Sequence, residues 1–154
     1  MKFYTSYFYM IRFFSPNMVP ISTALSDPKW YHNHQGNNHI FFDRRSVIHG
    51  IRAENLHPDD TCADLCKGKS CTNSPDSCKF LKLYRKQLDK IDFDQFVKWF
   101  ERFSRIYRKN RKLKDDVDIV FIFHETPTNP CSERVVFHEW MKDHGYDIEE
   151  WKKP

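Results

Sequence analysis

Four cysteines lie close together in the pattern C-x3-C-x4-C-x6-C, at Cys62, Cys66, Cys71 and Cys78. Thiolate sulfur is a preferred ligand of structural zinc, and four thiolates close the tetrahedral coordination sphere. The residues between the cysteines are mostly small, polar or basic, and such a segment folds most readily around a metal ion. The spacing therefore predicts a zinc site, with His57 as an alternative ligand. An iron–sulfur cluster, which also takes four thiolates, is the second choice of cofactor.

The state of these cysteines depends on the redox compartment. Disulfides are the alternative in a secreted protein, and uncoordinated thiols are the other alternative. The aromatic stretch from Lys2 to Phe14 follows a basic residue, as in a signal peptide, but polar side chains interrupt it. We expect this stretch to form a core strand of a cytoplasmic protein. No segment reaches the length of about 20 apolar residues that a membrane-spanning helix needs.

A second group of reactive side chains follows the most apolar segment of the chain, Asp118–Phe123. The group contains bases, a thiol, a hydroxyl and a guanidinium, namely His124, Glu125, Cys131, Ser132 and Arg134. Histidine and carboxylate side chains act as general bases, and a cysteine beside such a base is a nucleophile. We therefore treat Cys131, with His124 or Glu125 as its base, as the candidate catalytic group.

The local sequence predicts that this group lies at the start of a helix. Asn129 suits the N-cap position and Pro130 suits the first helical position, which would place Cys131 in the first turn. Unpaired backbone N–H groups and the helix dipole attract anions there and lower a thiol pKa. Arg134 would add a fork for phosphate or carboxylate. The alternative is that Cys131 is simply a small buried residue and Arg134 pairs with a neighbouring acid.

Hydrophobic periodicity indicates the elements that position these residues. Strands are expected over Phe3 to Tyr9, Met18 to Leu25, Asp118 to Phe123 and Tyr146 to Trp151. Helices are expected to begin near Ser74, near Asp92 and at Pro130. The helix from Asp92 should end near Arg111, and the last helix should end at about His144, before Gly145.

Length and composition indicate one globular domain. The chain has 154 residues, is 40% hydrophobic and 16% aromatic, and contains only 4 glycines, which excludes disordered and fibrous classes. We predict a small three-layer Rossmann-like α/β domain with a mostly parallel sheet and a cysteine-rich metal-binding insertion. Residues 1–154 form that single domain, in which 29–78 are a long loop and the cysteine-rich insertion.

Ligands of open parallel sheets bind beyond the carboxyl ends of the strands. The side chains expected at those ends or on the long loop above them are Ser6, Thr23, Ser132, Arg134, Arg44, Arg45 and Arg52. A loop as long as 29–58 in a compact domain is usually functional, and its arginines have the right position in the chain to close over a ligand.

Charge is unevenly distributed along the chain. The segment from Lys79 to Lys114 contains thirteen Lys or Arg against four Asp or Glu, whereas Asp115 to Pro154 contains four against ten. A basic surface of this kind suits nucleic acid or another polyanion. Solvated helix faces are the simpler interpretation of the same charges.

Two stretches resemble an uncharacterised family called "domain of unknown function 488". They are IVFIFHETPTNPCSERVVFHEWMKDHG at the end and FYTSYF followed by MVPISTALS at the start. The family has an apolar strand, a polar loop with Cys-His-Arg, and a helix leading to a short strand. Cys131 and Arg134 match that motif, while the histidine is absent. The resemblance implies a compact Rossmann-like fold and no settled activity.

Two functions fit these patterns. The first is binding or processing of a phosphate-bearing ligand, either a nucleotide or nucleic acid, at the carboxyl ends of the strands. The alternative is a non-catalytic, zinc-stapled interaction module that binds a protein or nucleic acid through its basic helices. Neither function involves a membrane.

Overall fold

The computed structural model describes residues 1–31, 40–59 and 74–154. In these parts the chain forms six strands and three α-helices. The strands are β1 (Phe3–Tyr7), β2 (Met18–Ser22), β3 (Phe41–Phe42), β4 (Ile48–His49), β5 (Asp118–Phe123) and β6 (Glu149–Glu150). The helices are α1 (Lys79–Asp89), α2 (Phe93–Arg111) and α3 (Glu133–Asp143). None of these helices is long and apolar enough to cross a lipid bilayer.

Four strands form one parallel sheet in the order β2-β5-β1-β6. The most apolar strand, β5, lies inside the sheet between β1 and β2, and five of its six residues are buried. A strand that is covered on both faces needs apolar residues at every position, which explains its continuous apolar run. The predicted α/β fold with a mostly parallel sheet and the bounds of β5 are confirmed, and the last strand lies at the edge of the sheet.

All three α-helices pack on one face of the sheet. Their apolar residues form one cluster with the strand residues Phe3, Ile21, Ile119 and Phe121. Along each strand, these residues alternate with residues whose side chains lie on the other face of the sheet. Helix α2 supplies Phe96 and Phe100, whose rings contact the ring of Phe121 at 5.9 and 5.4 Å between centroids. The aromatic residues on this face of α2 are therefore part of the core.

The opposite face is covered differently. A 3₁₀ helix, Phe8–Phe13, follows β1 directly and packs Phe8 and Ile11 against Val120 and Ile122. The predicted strand from Phe3 to Tyr9 thus ends two residues early. A third layer exists, as predicted, but in the described parts of the chain it contains no α-helix. The connection from β1 to β2 is too short to accommodate a long α-helix.

The long loop after β2 contains more structure than expected. Strands β3 and β4 pair as a small antiparallel hairpin. Arg45, inside the hairpin turn, donates hydrogen bonds to the carbonyl oxygens of Ile11 and Phe14 at 3.0 and 3.2 Å. Long-range side-chain to backbone bonds therefore order a short hairpin within the predicted long loop.

The start of α3 also differs from the prediction. Asn129 is not the N-cap, because its side chain accepts a hydrogen bond from the N–H of Cys131 instead. Ser132 caps the helix by accepting from the N–H of Arg134 at 3.2 Å. Pro130 and Cys131 therefore precede the helix. Its predicted end is confirmed, since Gly145 has a positive φ of 90° directly after the C-cap His144.

Candidate functional site

The carboxyl ends of the three long strands lie side by side at one edge of the sheet. Tyr7 of β1 is in register with Phe123 of β5, and Ser22 of β2 is in register with Ile122. The sheet therefore brings together the segments that carry Ser6, Thr23 and His124, as the sequence predicts. Their side chains differ in how much of their hydrogen-bonding capacity the fold uses.

The hydroxyl groups of Thr23 and Ser22 are used in hydrogen bonds within the protein. Both the N–H and the hydroxyl of Thr23 donate to the carbonyl oxygen of Ile122, at 3.0 and 2.9 Å. Ser22 donates to Asp27 and accepts from the N–H of Ala24. The hydroxyl of Ser6, by contrast, is buried and has no hydrogen-bond partner. Thr23 is thus a structural residue, and Ser6 keeps an unused donor beside the carboxyl edge.

Two glutamates lie at the N-terminus of α3. The hydroxyl of Ser132 donates to a carboxylate oxygen of Glu125 at 3.1 Å. Glu133, the first helical residue, is only 6% exposed. Burial, and secondarily the charge of Glu125, raise the pKa of Glu133 to about 7. This helix terminus therefore carries a carboxyl group that changes charge near neutral pH, in a region where the sequence predicts an anion.

Arg134 lies one position further along the helix and is 5% exposed. One terminal guanidinium nitrogen, Nη2, donates to the carbonyl oxygen of Ser6 at 3.0 Å. The Nε atom lies 3.0 Å from Oε2 of Glu150, close enough for an ion pair but not aligned for a hydrogen bond. The other terminal nitrogen, Nη1, is buried and has no hydrogen-bond partner. Burial lowers the pKa of Arg134, and the neighbouring carboxylates partly offset this effect.

A polar network that sequence reasoning missed adjoins Arg134. The hydroxyl of Thr5 lies 2.6 Å from Nε2 of His138 and donates to Oε2 of Glu150, also at 2.6 Å. Burial, followed by the charge of Arg134, lowers the pKa of His138. One feature of the sequence could have indicated this network. Thr5 and Glu133 are polar residues in a strand and a helix whose neighbouring residues are mostly apolar.

The proposed nucleophile and bases lie in different surroundings. His124 is exposed and its ring packs edge-on against Phe8, with 6.4 Å between centroids. Cys131 is half-buried and lies before the helix rather than in its first turn. Glu125 accepts a hydrogen bond from the hydroxyl of Ser132. The helix position that was expected to lower the thiol pKa is thus lost, because Ser132 caps the helix.

The arginines of the long loop have separate roles. Arg52 donates to the carbonyl oxygens of Ala24 and Leu25, both at 3.2 Å, and its Nε lies 3.5 Å from Asp27. It therefore fixes the loop that follows β2. Arg44 is exposed on the hairpin turn. The geometry places Arg52 at the carboxyl edge, as predicted, and leaves Arg44 on the surface.

Three of the proposed metal ligands, Cys62, Cys66 and Cys71, lie outside the described residues. Cys78 is described: it is half-buried, is the N-cap residue of α1 and packs against the main core. In the described parts of the chain, no three histidine, cysteine or acidic residues form a metal-binding group. His57, the alternative ligand, lies 2.9 Å from a guanidinium nitrogen of Arg52 through Nδ1. Burial, and then the charge of Arg52, lower its pKa.

No protein-family model, curated protein or solved structure matches this chain.

Proposed function

We propose that this domain binds a phosphate-bearing ligand, a nucleotide or the end of a nucleic acid, at the carboxyl edge of its parallel sheet. The supporting observation is Arg134, a buried guanidinium whose Nη1 atom has no hydrogen-bond partner. Buried polar groups are almost always hydrogen-bonded, so an unused charged donor next to a ligand-binding edge favours an oxyanion as its missing acceptor. The unused hydroxyl of Ser6 belongs to the same edge.

Two carboxyl groups control how well an anion is accepted there. Glu125 and Glu133 lie at the start of α3, where their negative charges would repel a phosphate. The pKa of Glu133 is raised to about 7, so this residue is largely neutral below that pH and charged above it. The phosphate site is therefore expected to strengthen as Glu133 takes up a proton. Catalysis by Cys131, with His124 or Glu125 as base, is not part of the proposal.

The test is a calorimetric titration of adenosine 5′-monophosphate into the full chain and three variants. Arg134→Lys keeps the charge but loses the fork, and should weaken binding about tenfold or more. Glu133→Gln removes a negative charge, and should strengthen binding several-fold at pH 8 while leaving it unchanged at pH 5.5. Because the variant is compared with the wild type at the same pH, the effect of the ligand's own ionisation on affinity is the same for both proteins. Glu139→Gln is the matched control, because Glu139 is an exposed glutamate of the same helix.

Either of two results would contradict the proposal. One is the absence of binding by the wild type at millimolar ligand. The other is equal affinity of the wild type and Glu133→Gln at pH 8, together with full affinity of a folded Arg134→Lys protein. Should Arg134→Lys not fold, the Glu133 comparison still decides the question.

The alternative function, a zinc-stapled interaction module, is supported by a different surface. Trp99 and Ile106 of α2 are largely exposed and lie on the same helix as the exposed Arg102 and Arg105. Trp99 also lines a groove of about 640 Å³ between α2 and residues 51–55. Exposed aromatic and basic side chains together are typical of nucleic-acid and protein contacts. Arg108 is less available, since it pairs with Asp116 at 2.5 Å.

The module predicts bound zinc and a partner that recognises α2. Elemental analysis of protein purified without added metal should find about one zinc per chain, and iron with sulfide would indicate a cluster instead. Replacing Cys62 or Cys78 with Ala should then unfold the protein. A soluble Cys62→Ala variant with unchanged melting temperature would contradict the structural metal. Charge reversal at Arg102 and Arg105 should abolish nucleic-acid retention if α2 is the contact surface.

A further inference from the structure

A pocket of about 370 Å³ lies on the sheet face opposite the α-helices, within the size range of small-molecule sites. Aromatic rings from three separate segments line it: Phe8, Trp30, Phe41 and the imidazole of His49. None of these residues belongs to the groups that the sequence singled out. The question is which kind of ligand such a wall would accept.

The aromatic rings of the pocket pack against one another. The imidazole of His49 stacks on Phe41 at 5.1 Å between centroids and meets Trp30 edge-on at 5.7 Å. Phe8 meets Trp30 edge-on at 6.2 Å. Trp30 nevertheless remains 48% exposed, although large aromatic side chains are usually much more buried. The pocket therefore offers preformed ring surface with a substantial part of one indole uncovered.

Charged groups at the pocket distinguish between a cationic and an anionic ligand. Two guanidinium groups, Arg12 and Arg45, line it with one carboxylate, Asp43. Burial alone would raise the pKa of Asp43, but hydrogen bonds from His49 and Arg45 outweigh it and lower the pKa to about 2. Asp43 is thus ionised and already bonded to both residues, at 2.9 and 2.7 Å. The excess of positive charge disfavours quaternary ammonium ligands, which aromatic cages otherwise accept.

The pocket adjoins the carboxyl edge of the sheet. Phe8 follows the last residue of β1, and its ring also packs against His124, which follows β5. Phe8 therefore contacts residues of both regions. In addition, Nδ1 of His49 is buried without a hydrogen-bond partner, which leaves one polar atom in the wall unused.

We propose that this pocket binds the planar base of a nucleotide whose phosphate occupies the carboxyl edge of the sheet. Stacking on Trp30 and Phe41 would hold the base without strong preference among bases, because every base has a π-face. The inference rests on the proposed function, since it assigns the ring of the same ligand. It adds a substrate class, an aromatic phosphate ester, and a subsite on the opposite face of the sheet from α3.

The test compares adenosine 5′-monophosphate, adenosine and inorganic phosphate by calorimetry. The monophosphate should bind more tightly than either part alone. Trp30→Ala should weaken the monophosphate and adenosine about tenfold and leave inorganic phosphate unchanged. Tyr146→Ala is the control, because Tyr146 is also an exposed aromatic residue, at 36%, but its ring packs against Phe3 at the other end of β1. The control variant should bind all three ligands as the wild type does.

The possible failures can be told apart. Equal affinity for inorganic phosphate and the monophosphate, unaffected by Trp30→Ala, would overturn the base subsite and leave the phosphate site standing. Equal affinity for adenosine and the monophosphate, lost in Trp30→Ala, would support the base subsite and contradict the phosphate site. Tighter binding of phenyltrimethylammonium than of the monophosphate, or a loss of binding in Tyr146→Ala only, would overturn the base subsite.

The ligand could come from a free nucleotide or from a nucleic-acid end. A 5′-phosphorylated trinucleotide that binds more tightly than the monophosphate, with the same dependence on Trp30, would support the subsite and identify a nucleic-acid end. A trinucleotide that binds more weakly, with Trp30 still required for the monophosphate, would support the subsite for a free nucleotide.

Discussion

Phe3 and Thr5 are two residues apart on the same face of β1, yet their surroundings have opposite character. Phe3 packs among rings of α2 and β5, at 6.0 Å from Phe100 and 5.7 Å from Phe121. Thr5 lies among the side chains of His138 and Glu150, with hydrogen bonds to both. One strand thus passes from an aromatic cluster into a polar network within about 7 Å of its length.

The two ends of β1 therefore contribute differently to the protein: one to stability and the other to the candidate site. The aromatic cluster excludes water and contributes stability through apolar burial. Near the carboxyl edge, Arg134 and Glu133 are buried and His138 and Glu150 are partly buried, so desolvation works against folding there. Proteins tolerate such buried polar groups most often at functional sites. Substitutions at the two ends of β1 should therefore differ in size and in pH dependence.

The largest effect is expected in the aromatic cluster. Phe121 is fully buried and its ring contacts Phe137 at 4.9 Å in addition to the rings of α2. Phe121→Ala should lower the free energy of unfolding by about 3–5 kcal/mol, because it leaves a cavity in a closely packed core. Urea denaturation measures this loss, which should be the same at pH 5 and pH 8. Ile106→Ala, at a 53% exposed position of α2, should cost less than about 0.5 kcal/mol.

An intermediate, pH-dependent effect is expected at Glu133. Its pKa is raised from 4.5 to about 7 in the folded protein, so the folded state binds this proton more tightly than the unfolded state. The stability from this proton is complete below about pH 4.5 and is lost as pH rises through about 7. The wild type should therefore lose on the order of 3 kcal/mol over this range. Glu133→Gln should not show this loss.

Urea denaturation at pH 5 and pH 8 measures this difference, with Glu139→Gln as the control that should follow the wild type. Parallel stability profiles of the wild type and Glu133→Gln between these pH values would show that Glu133 is better solvated than its 6% exposure indicates.

The smallest effect is expected at Thr5. Thr5→Val keeps the shape of the side chain but removes the hydroxyl that contacts His138 and Glu150, which leaves two partly buried polar groups with one partner fewer. The expected loss is about 1–2 kcal/mol, and Thr5→Ser should recover most of it. Thermal denaturation measures the order wild type, Thr5→Ser, Thr5→Val. A Thr5→Val protein as stable as the wild type would mean that the network contributes nothing to folding.

Much of the secondary structure could be predicted from local patterns. The bounds of β5, the start of β2, the helix from Asp92 to Arg111 and the stop at Gly145 all follow from apolar periodicity and capping chemistry. The start of α3 could not, because Asn129 and Ser132 are both good caps and only the local turn decides between them. The hairpin at β3 and β4 was missed, because its anchors are backbone carbonyls of a distant segment.

The sequence by itself determined the α/β class, the parallel sheet and the segments that end at its carboxyl edge, since these depend on periodicities of two and 3.6 residues. Only the tertiary structure decided which side chains meet there. Thr5 contacts Glu150, and Arg134 contacts Ser6, across more than a hundred residues of chain. Likewise, Phe8, Trp30 and Phe41 line one pocket because the connections after β1 and β2 cover the same face of the sheet. Such contacts depend on strand order and crossover path, which no local pattern encodes.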